Sequence, residues 1–215
     1  MPNSEHEKDL AASAAAELVA DGDCVGLGTG STVAYLLPAL AERRLRIRCV
    51  ATSPETARTA AGLGLEIIPF EHVERLDIAI DGADQITSDG WLIKGGGAAH
   101  TREKIVAAAA RRFIVIASSE KLVEALTPPV PLELLEFGLA ATLATLEPTD
   151  LRDVPRSPDG GLIADYRGPV GDPAALAERL SCTPGVIAHG LFAPSLTSEV
   201  IIGRGKEIIR FEPGS

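Results

Sequence analysis

The sequence predicts an α/β fold, an open and mostly parallel sheet in a Rossmann-like, three-layer αβα arrangement, with a second, smaller split-βαβ (ferredoxin-like) domain. Three observations carry this expectation. Short apolar strand-like runs alternate with helical stretches up to residue 117, the pattern of a parallel sheet covered on both faces. The rigid passage Thr127-Pro128-Pro129-Val130-Pro131 then interrupts the chain. Beyond it the order becomes strand, helix, strand, strand, helix, strand. The expected divisions are residues 1–130 as the main α/β domain, 131–195 as the small α+β domain, and 196–215 as strands returning to the main domain.

In chain order, residues 5–20 read as a helix with a stripe of Leu10, Ala14 and Leu18, ended by Asp21-Gly22. Cys24 to Gly28 is a strand that runs into Gly28-Thr29-Gly30-Ser31-Thr32 and a helix reaching about Leu40. Ile47 to Thr52 is the next strand, and Ser53-Pro54-Glu55 opens a helix with Pro54 at a favourable first position. Glu66 to Phe70 and Leu76 to Ile80 are further strands, the second ending on Asp81. Trp91 to Lys94 is extended, Thr101 is expected to cap a helix running to Ala110, and Phe113 to Ala117 is a continuous apolar strand. In the second half, strands are expected at 131–135, 151–154, 162–166 and 186–192, with helices at 136–146 and 172–180. Strands at 199–202 and 206–210 close the chain.

The 215 residues are 46% hydrophobic, enough for a sizeable core, and carry a formal net charge of −10. That balance disfavours nucleic-acid binding, which draws on clustered Lys and Arg. Arg43, Arg44, Arg46 and Arg48 are a local exception without interleaved aromatics, and read as a solvated edge near a helix C-terminus. Cys24, Cys49 and Cys182 form no CxxC pair and no metal-ligand spacing, which fits a reducing compartment. The four histidines are scattered, no signal peptide is evident, and no apolar run reaches the ~18 residues of a membrane span. A cytoplasmic protein without membrane or nucleic-acid partners is expected.

Four tracts carry chemistry. The loop Gly28 to Thr32 joins a strand to a helix N-terminus, whose unpaired amides suit phosphate; a plain capped turn is the alternative. It lacks a Walker ending, and glycines at 26, 28 and 30 with Ser31 do not form a dinucleotide fingerprint. Asp81-Gly82-Ala83-Asp84 sets two carboxylates at a strand's carboxyl end, where ligands of open parallel sheets gather; a polar turn is the alternative. A magnesium site would want more oxygen ligands than this motif offers. Lys94-Gly95-Gly96-Gly97 combines a compact cation with a backbone able to approach a ligand closely and offer amides to an oxyanion. Glu103 lies in a first helical turn, flanked by Arg102 and Lys104, which read as solvated. Lys121 follows a strand end, either as an ordinary exposed lysine or as a phosphate contact.

Taken together and in order, Gly26 to Thr32, Asp81 to Asp84, Lys94 to Ala99 and Thr101-Arg102-Glu103-Lys104 resemble the type A ribose-5-phosphate isomerase family. The likeness covers nearly the whole chain and is densest over residues 20–125. It implies interconversion of D-ribose 5-phosphate and D-ribulose 5-phosphate through an enediolate. Glu103 would be the general base, Lys94 and the amides of Gly95, Gly96 and Gly97 would receive oxyanion charge, Asp81 would help open the ring, and Asp84 would orient hydroxyls. Thr29, Gly30, Ser31, Thr32, Gly82 and Ala83 would face the substrate, with Lys121 and Lys8 adding positive charge. The likeness implies no metal, nicotinamide or flavin, and a homodimer or homotetramer.

Three departures stand out. Gln85 occupies a position where Glu is more typical, His100 one where Leu is common, and the turn Ser157 to Gly161 replaces an asparagine-containing one. His100 reads as a packing or hydrogen-bonding substitution, or as a group tuning Glu103. Readings from other classes are a non-catalytic sugar-phosphate sensor, an amino-sugar phosphate isomerase and an acyl-CoA transferase. No helix-turn-helix segment precedes residue 20, and no transferase glutamate motif is present.

Overall fold

The computed structural model describes residues 2–213. Its elements are α1 (Pro2–Ala16), β1 (Cys24–Leu27), α2 (Val33–Glu42), β2 (Arg48–Ala51), α3 (Pro54–Gly62), β3 (Glu66–Ile67), β4 (Leu76–Gly82), β5 (Gln85–Thr87), β6 (Leu92–Ile93), α4 (His100–Ala109), β7 (Ala110–Ser118), β8 (Leu122–Val123) and β9 (Val130–Leu134). There follow α5 (Leu139–Thr145), β10 (Thr149–Leu151), β11 (Leu162–Tyr166), α6 (Pro173–Cys182), β12 (Val186–His189), β13 (Leu191–Phe192), β14 (Glu199–Arg204) and β15 (Glu207–Phe211).

The main sheet runs β15-β14-β7-β4-β1-β2-β3, parallel throughout except for the β14–β15 hairpin. Its strands alternate between two cores, as a period of two requires. Val25, Leu27, Ile78, Ile80, Ile114, Ile116 and Ile201 pack on one side with α1, α2 and Ala60 of α3. Ala79, Val115, Ala117, Val200 and Ile202 pack on the other with Val106 and Ala107 of α4. Gly26 belongs to this second face, and α4 lies so close that a Cβ there would sit 2.5 Å from Val106 Cγ1.

The expected small domain is an antiparallel sheet ordered β10-β11-β9-β12, with α5 and α6 in its crossovers and Leu176 and Leu180 in its core. Asp172 caps α6 by accepting from the amides of Ala174 and Ala175.

The structure corrects several sequence readings. A third sheet, β13-β6-β5-β8, covers part of the α4 face of the main sheet and was not anticipated. Its strands have two or three residues, too few to show a period. The expected strand 186–192 is two strands in different sheets, broken at Gly190, where a Cβ would lie 2.2 Å from Lys94 O. The second-half helix starts at Leu139 rather than Glu136, because Gly138 takes a left-handed conformation ahead of it. Thr101 does not cap α4: Ala99 holds that position without a side-chain bond, and the Thr101 hydroxyl instead donates to buried Glu133. No helix among the described residues is long and apolar enough to cross a membrane.

Candidate active site

The site forms at the carboxyl ends of β1 and β4, where Asp81, Lys94 and Glu103 converge. Asp81 is next to last in β4 and shares the alternation of Ala79, so its carboxylate points to the α4 face. On α4, His100, Glu103, Val106 and Ala107 are the buried positions, spaced three and four apart. Glu103 therefore occupies a place in the apolar stripe, and packing buries it. Lys94 follows β6 in the third sheet, its backbone N–H held by Gly190 O at 2.8 Å. All three side chains are 4% exposed or less.

The Lys94 ammonium lies 2.9 Å from Asp81 Oδ2 and 3.1 Å from Glu103 Oε2, and it also donates to Gly82 O. The two carboxylate contacts are ion pairs, and the hydrogen bond of the ammonium goes to Gly82 O. Among the described residues, the buried Asp81 Oδ2 and Glu103 Oε2 have no hydrogen-bond partner, and the Lys94 ammonium is their ion-pair partner. Asp81 Oδ1 accepts from the amides of Gly82, at 2.7 Å, and Thr29, at 3.1 Å. That approach needs Gly28, since a Cβ there would lie 1.9 Å from Asp81 Oδ1.

Two carboxylates share one buried cation. Burial pushes the Glu103 carboxyl up to about 8, the nearby Asp81 charge pushes the same way, and Lys94 only partly opposes them. Burial raises Asp81 as well, against the pull of Lys94 and two amides. The two carboxylates hold Lys94 above its ordinary value despite its burial. Phe192 lies alongside, its ring centroid 5.5 Å from Lys94 Nζ and 4.9 Å from Lys104 Nζ.

Glu103 and Lys94 open onto a narrow cleft of about 90 Å³. Thr29, Gly30, Ser31 and Thr32 line it on one side, Gly82, Ala83 and Asp84 on another, and Gly95, Gly96, Gly97 and Lys121 complete it. Asp81 stands behind this lining. Asp84 Oδ2 accepts from the Gly96 amide at 2.8 Å. Thr32 makes no side-chain cap bond to α2, so the capped-turn reading of that loop does not hold. Larger depressions exist, including one beside Phe211, but they lack this grouping of a buried cation and carboxylates. Lys8 is not brought to the cleft; its ammonium pairs with Glu5 at 3.0 Å.

The model of ribose 5-phosphate isomerase A (phosphoriboisomerase A) matches residues 48–207. A ribose-5-phosphate isomerase A of Caulobacter vibrioides is 43% identical over 98% of this chain and 100% of its own length. The chain belongs to the ribose 5-phosphate isomerase A family. A relative of the same name from Synechococcus sp. is 42% identical over 98% of this chain and 99% of its own. Among solved structures, ribose 5-phosphate isomerase A from Neisseria gonorrhoeae superposes with a TM-score of 0.93 at 30% identity, covering 99% of this chain and 98% of that one. A D-ribose-5-phosphate isomerase in complex with phospho-erythronic acid gives 0.92 at 34% identity, covering 98% and 99%. These relatives make the chain an isomerase of the α/β class.

The departures noted in the sequence now have physical readings. Gln85 donates to Thr127 O at 2.9 Å and accepts from Thr127 N at 2.8 Å, a clamp that needs an amide because a carboxylate cannot donate. His100 is fully buried against Gly95, where a Cβ would lie 2.7 Å from its Nδ1. Burial pushes its imidazole down to about 3, so it stays neutral and serves packing rather than charge. The turn at 157–161 docks on α4 through Arg102, which holds both oxygens of Asp159 at 2.7 and 2.8 Å. Neither flanking cation is simply solvated, since Lys104 donates to His189 O at 2.6 Å.

Sequence reasoning missed three supporting groups. Thr52 and Thr56 back the Thr29 hydroxyl at 2.8 and 3.2 Å. Phe192 lies against the buried cation. Arg152 reaches the glycine tract from the small domain. None carries a motif, and only the fold brings them against the residues that line the cleft.

Proposed function

We propose that this chain interconverts D-ribose 5-phosphate and D-ribulose 5-phosphate through an enediolate, with Glu103 as the general base. The observation that carries the reading is the buried Asp81–Lys94–Glu103 cluster behind a cleft lined by backbone amides, hydroxyls and Lys121. Moving one proton between adjacent carbons on one face of a sugar needs a single base of suitable basicity. Burial gives Glu103 a proton affinity far above that of a carboxylate in water. In this reading Glu103 removes the C2 proton of the open-chain aldose and returns it to C1.

Lys94 supplies the positive field for the negative charge that develops on O1 or O2, with the glycine amides as hydrogen-bond donors. Asp81 assists ring opening and Asp84 orients hydroxyls. Thr29 to Thr32 and Lys121 receive the phosphate, where a helix N-terminus favours an anion. The net redox change stays within the sugar, so the reaction itself requires no redox cofactor.

A coupled assay for ribulose 5-phosphate in deuterated water tests this directly. The expected result is turnover, with solvent deuterium found at C1 of the ketose. Binding of ribose 5-phosphate without turnover would support a sensor instead, and turnover without exchange would count against the enediolate route.

The pH profile is a second check. The free enzyme's base must be ionised, so kcat/KM is expected to rise with pH through about 8, a step belonging to the coupled Asp81–Glu103 pair. Lys94 is held above its ordinary value, so it should cause no fall in the same range. A flat profile from about pH 6 to 9 would refute a base of this basicity.

A further inference from the structure

Arg152 reaches the glycine tract from just beyond β10, on the small domain. Its Nε and Nη2 hold both oxygens of Asp165 on β11, at 2.9 and 2.6 Å. Its Nη1 donates to Gly95 O at 3.0 Å and Gly96 O at 3.1 Å. The pair is mostly buried, with side chains 17% and 11% exposed, and the fork on Asp165 leaves the guanidinium little freedom.

The consequence for the cleft follows from peptide geometry. In a planar trans peptide, the carbonyl of one residue and the amide N–H of the next point in opposite directions. One guanidinium nitrogen takes the carbonyls of Gly95 and Gly96, so the N–H groups of Gly96 and Gly97 face away from Arg152. The Gly96 N–H lies on Asp84 Oδ2 at 2.8 Å, a residue of the cleft wall. By the same peptide geometry the Gly97 N–H faces away from Arg152, and Gly97 itself lines the cleft. Glycines are free to populate either sign of φ, and Gly95 does take φ +102; the Ala98 N–H closes a turn on Gly95 O at 3.0 Å, and Arg152 adds the hold on Gly96 O that this turn does not supply. A cation on the carbonyl side also polarises both peptides and strengthens their N–H groups as donors.

We propose that Arg152 is a positioning residue for the isomerisation: it aims and polarises the Gly96 and Gly97 amides, so that Gly97 meets the developing oxyanion and Gly96 holds Asp84. Asp165 fixes Arg152, and the small domain thereby completes a site whose reacting groups lie elsewhere. The inference rests on the reading in Proposed function.

The test uses Arg152→Ala and Arg152→Lys in the full chain, with folding followed by thermal denaturation. Arg152→Ala is expected to lose about 10- to 100-fold in kcat, less than removal of an oxyanion donor itself, with KM within about threefold. Millimolar guanidinium is expected to restore part of that kcat, which a purely structural lesion would not allow. Arg152→Lys keeps the charge but not the fork, and is expected to lose about fivefold or more. Phospho-erythronic acid, titrated calorimetrically, should bind Arg152→Ala about tenfold more weakly than wild type.

Wild-type kcat in folded Arg152→Ala would overturn the proposal, as would a loss that guanidinium leaves untouched. If Arg152→Ala does not fold, wild-type kcat in Arg152→Lys would do the same. Failure of the wild type itself to isomerise would sink the functional reading instead, and the calorimetric comparison would still report whether Arg152 shapes the cleft.

Discussion

Glu103→Gln is expected to lower kcat by about 10³- to 10⁴-fold while phospho-erythronic acid binds within about threefold of wild type. Gln keeps the shape of the side chain and can still accept from Lys94, but it cannot take a proton from carbon. A stopped assay for ribulose 5-phosphate with calorimetric binding separates the two effects, and near-normal turnover would remove Glu103 from the role of base. The same variant carries a stability signature. The folded-state affinity of Glu103 for its proton, at about 8, stands above its ordinary value of 4.5, so the folded state binds the proton more tightly than the unfolded chain. Wild-type stability should therefore decline as pH rises from 4.5 to about 8 and level off above. Glu103→Gln lacks this decline, and its melting temperature should gain on that of wild type across the window. Parallel melting curves would argue that Glu103 is not buried as described.

Lys94→Met is expected to be the more damaging change, because it removes fold stability and activity together. Met matches the length of the stem, but Asp81 Oδ2 and Glu103 Oε2 lose their shared partner and Gly82 O loses its donor. Breaking a buried ion pair from one side costs about 3–5 kcal/mol, since the remaining charge stays out of water. The loss should be largest near pH 8 and shrink as acid is added, because a protonated carboxyl needs no cation. Urea unfolding at about pH 8 and about pH 5.5 reads this directly, and an equal loss at both would contradict the two-carboxylate cluster. Turnover should be undetectable, since the field for the oxyanion is gone.

Both variants act on groups that the sequence presents openly. Two carboxylates end a buried strand, a lysine precedes three glycines, and a glutamate sits in a first helical turn. Such signals are local, and so is the alternation of strands and helices that announced the parallel sheet. The loop at 28–32 likewise lies where a strand meets a helix, and it lines the cleft as that placement suggested.

Other features depend on contacts between distant parts of the chain. The strands Gln85–Thr87, Leu92–Ile93, Leu122–Val123 and Leu191–Phe192 are too short to show a period and exist by pairing with one another. Gln85 looked like a missing charge beside the acidic motif until its amide was seen to clamp Thr127, 42 residues away. His100 looked able to tune Glu103, and burial keeps it neutral.

By itself, then, the sequence determined the fold class, the alternation that builds the main parallel sheet and the chemical types gathered at the cleft. Hydrophobic period, glycine and proline placement, and strand-end carboxylates are all properties of neighbouring residues. Only the tertiary structure decided the basicity of Glu103, the meeting of one buried Lys94 ammonium with two carboxylates and the reach of Arg152 to Gly95 and Gly96. Those depend on desolvation and on distances across the fold, and no stretch of sequence contains either.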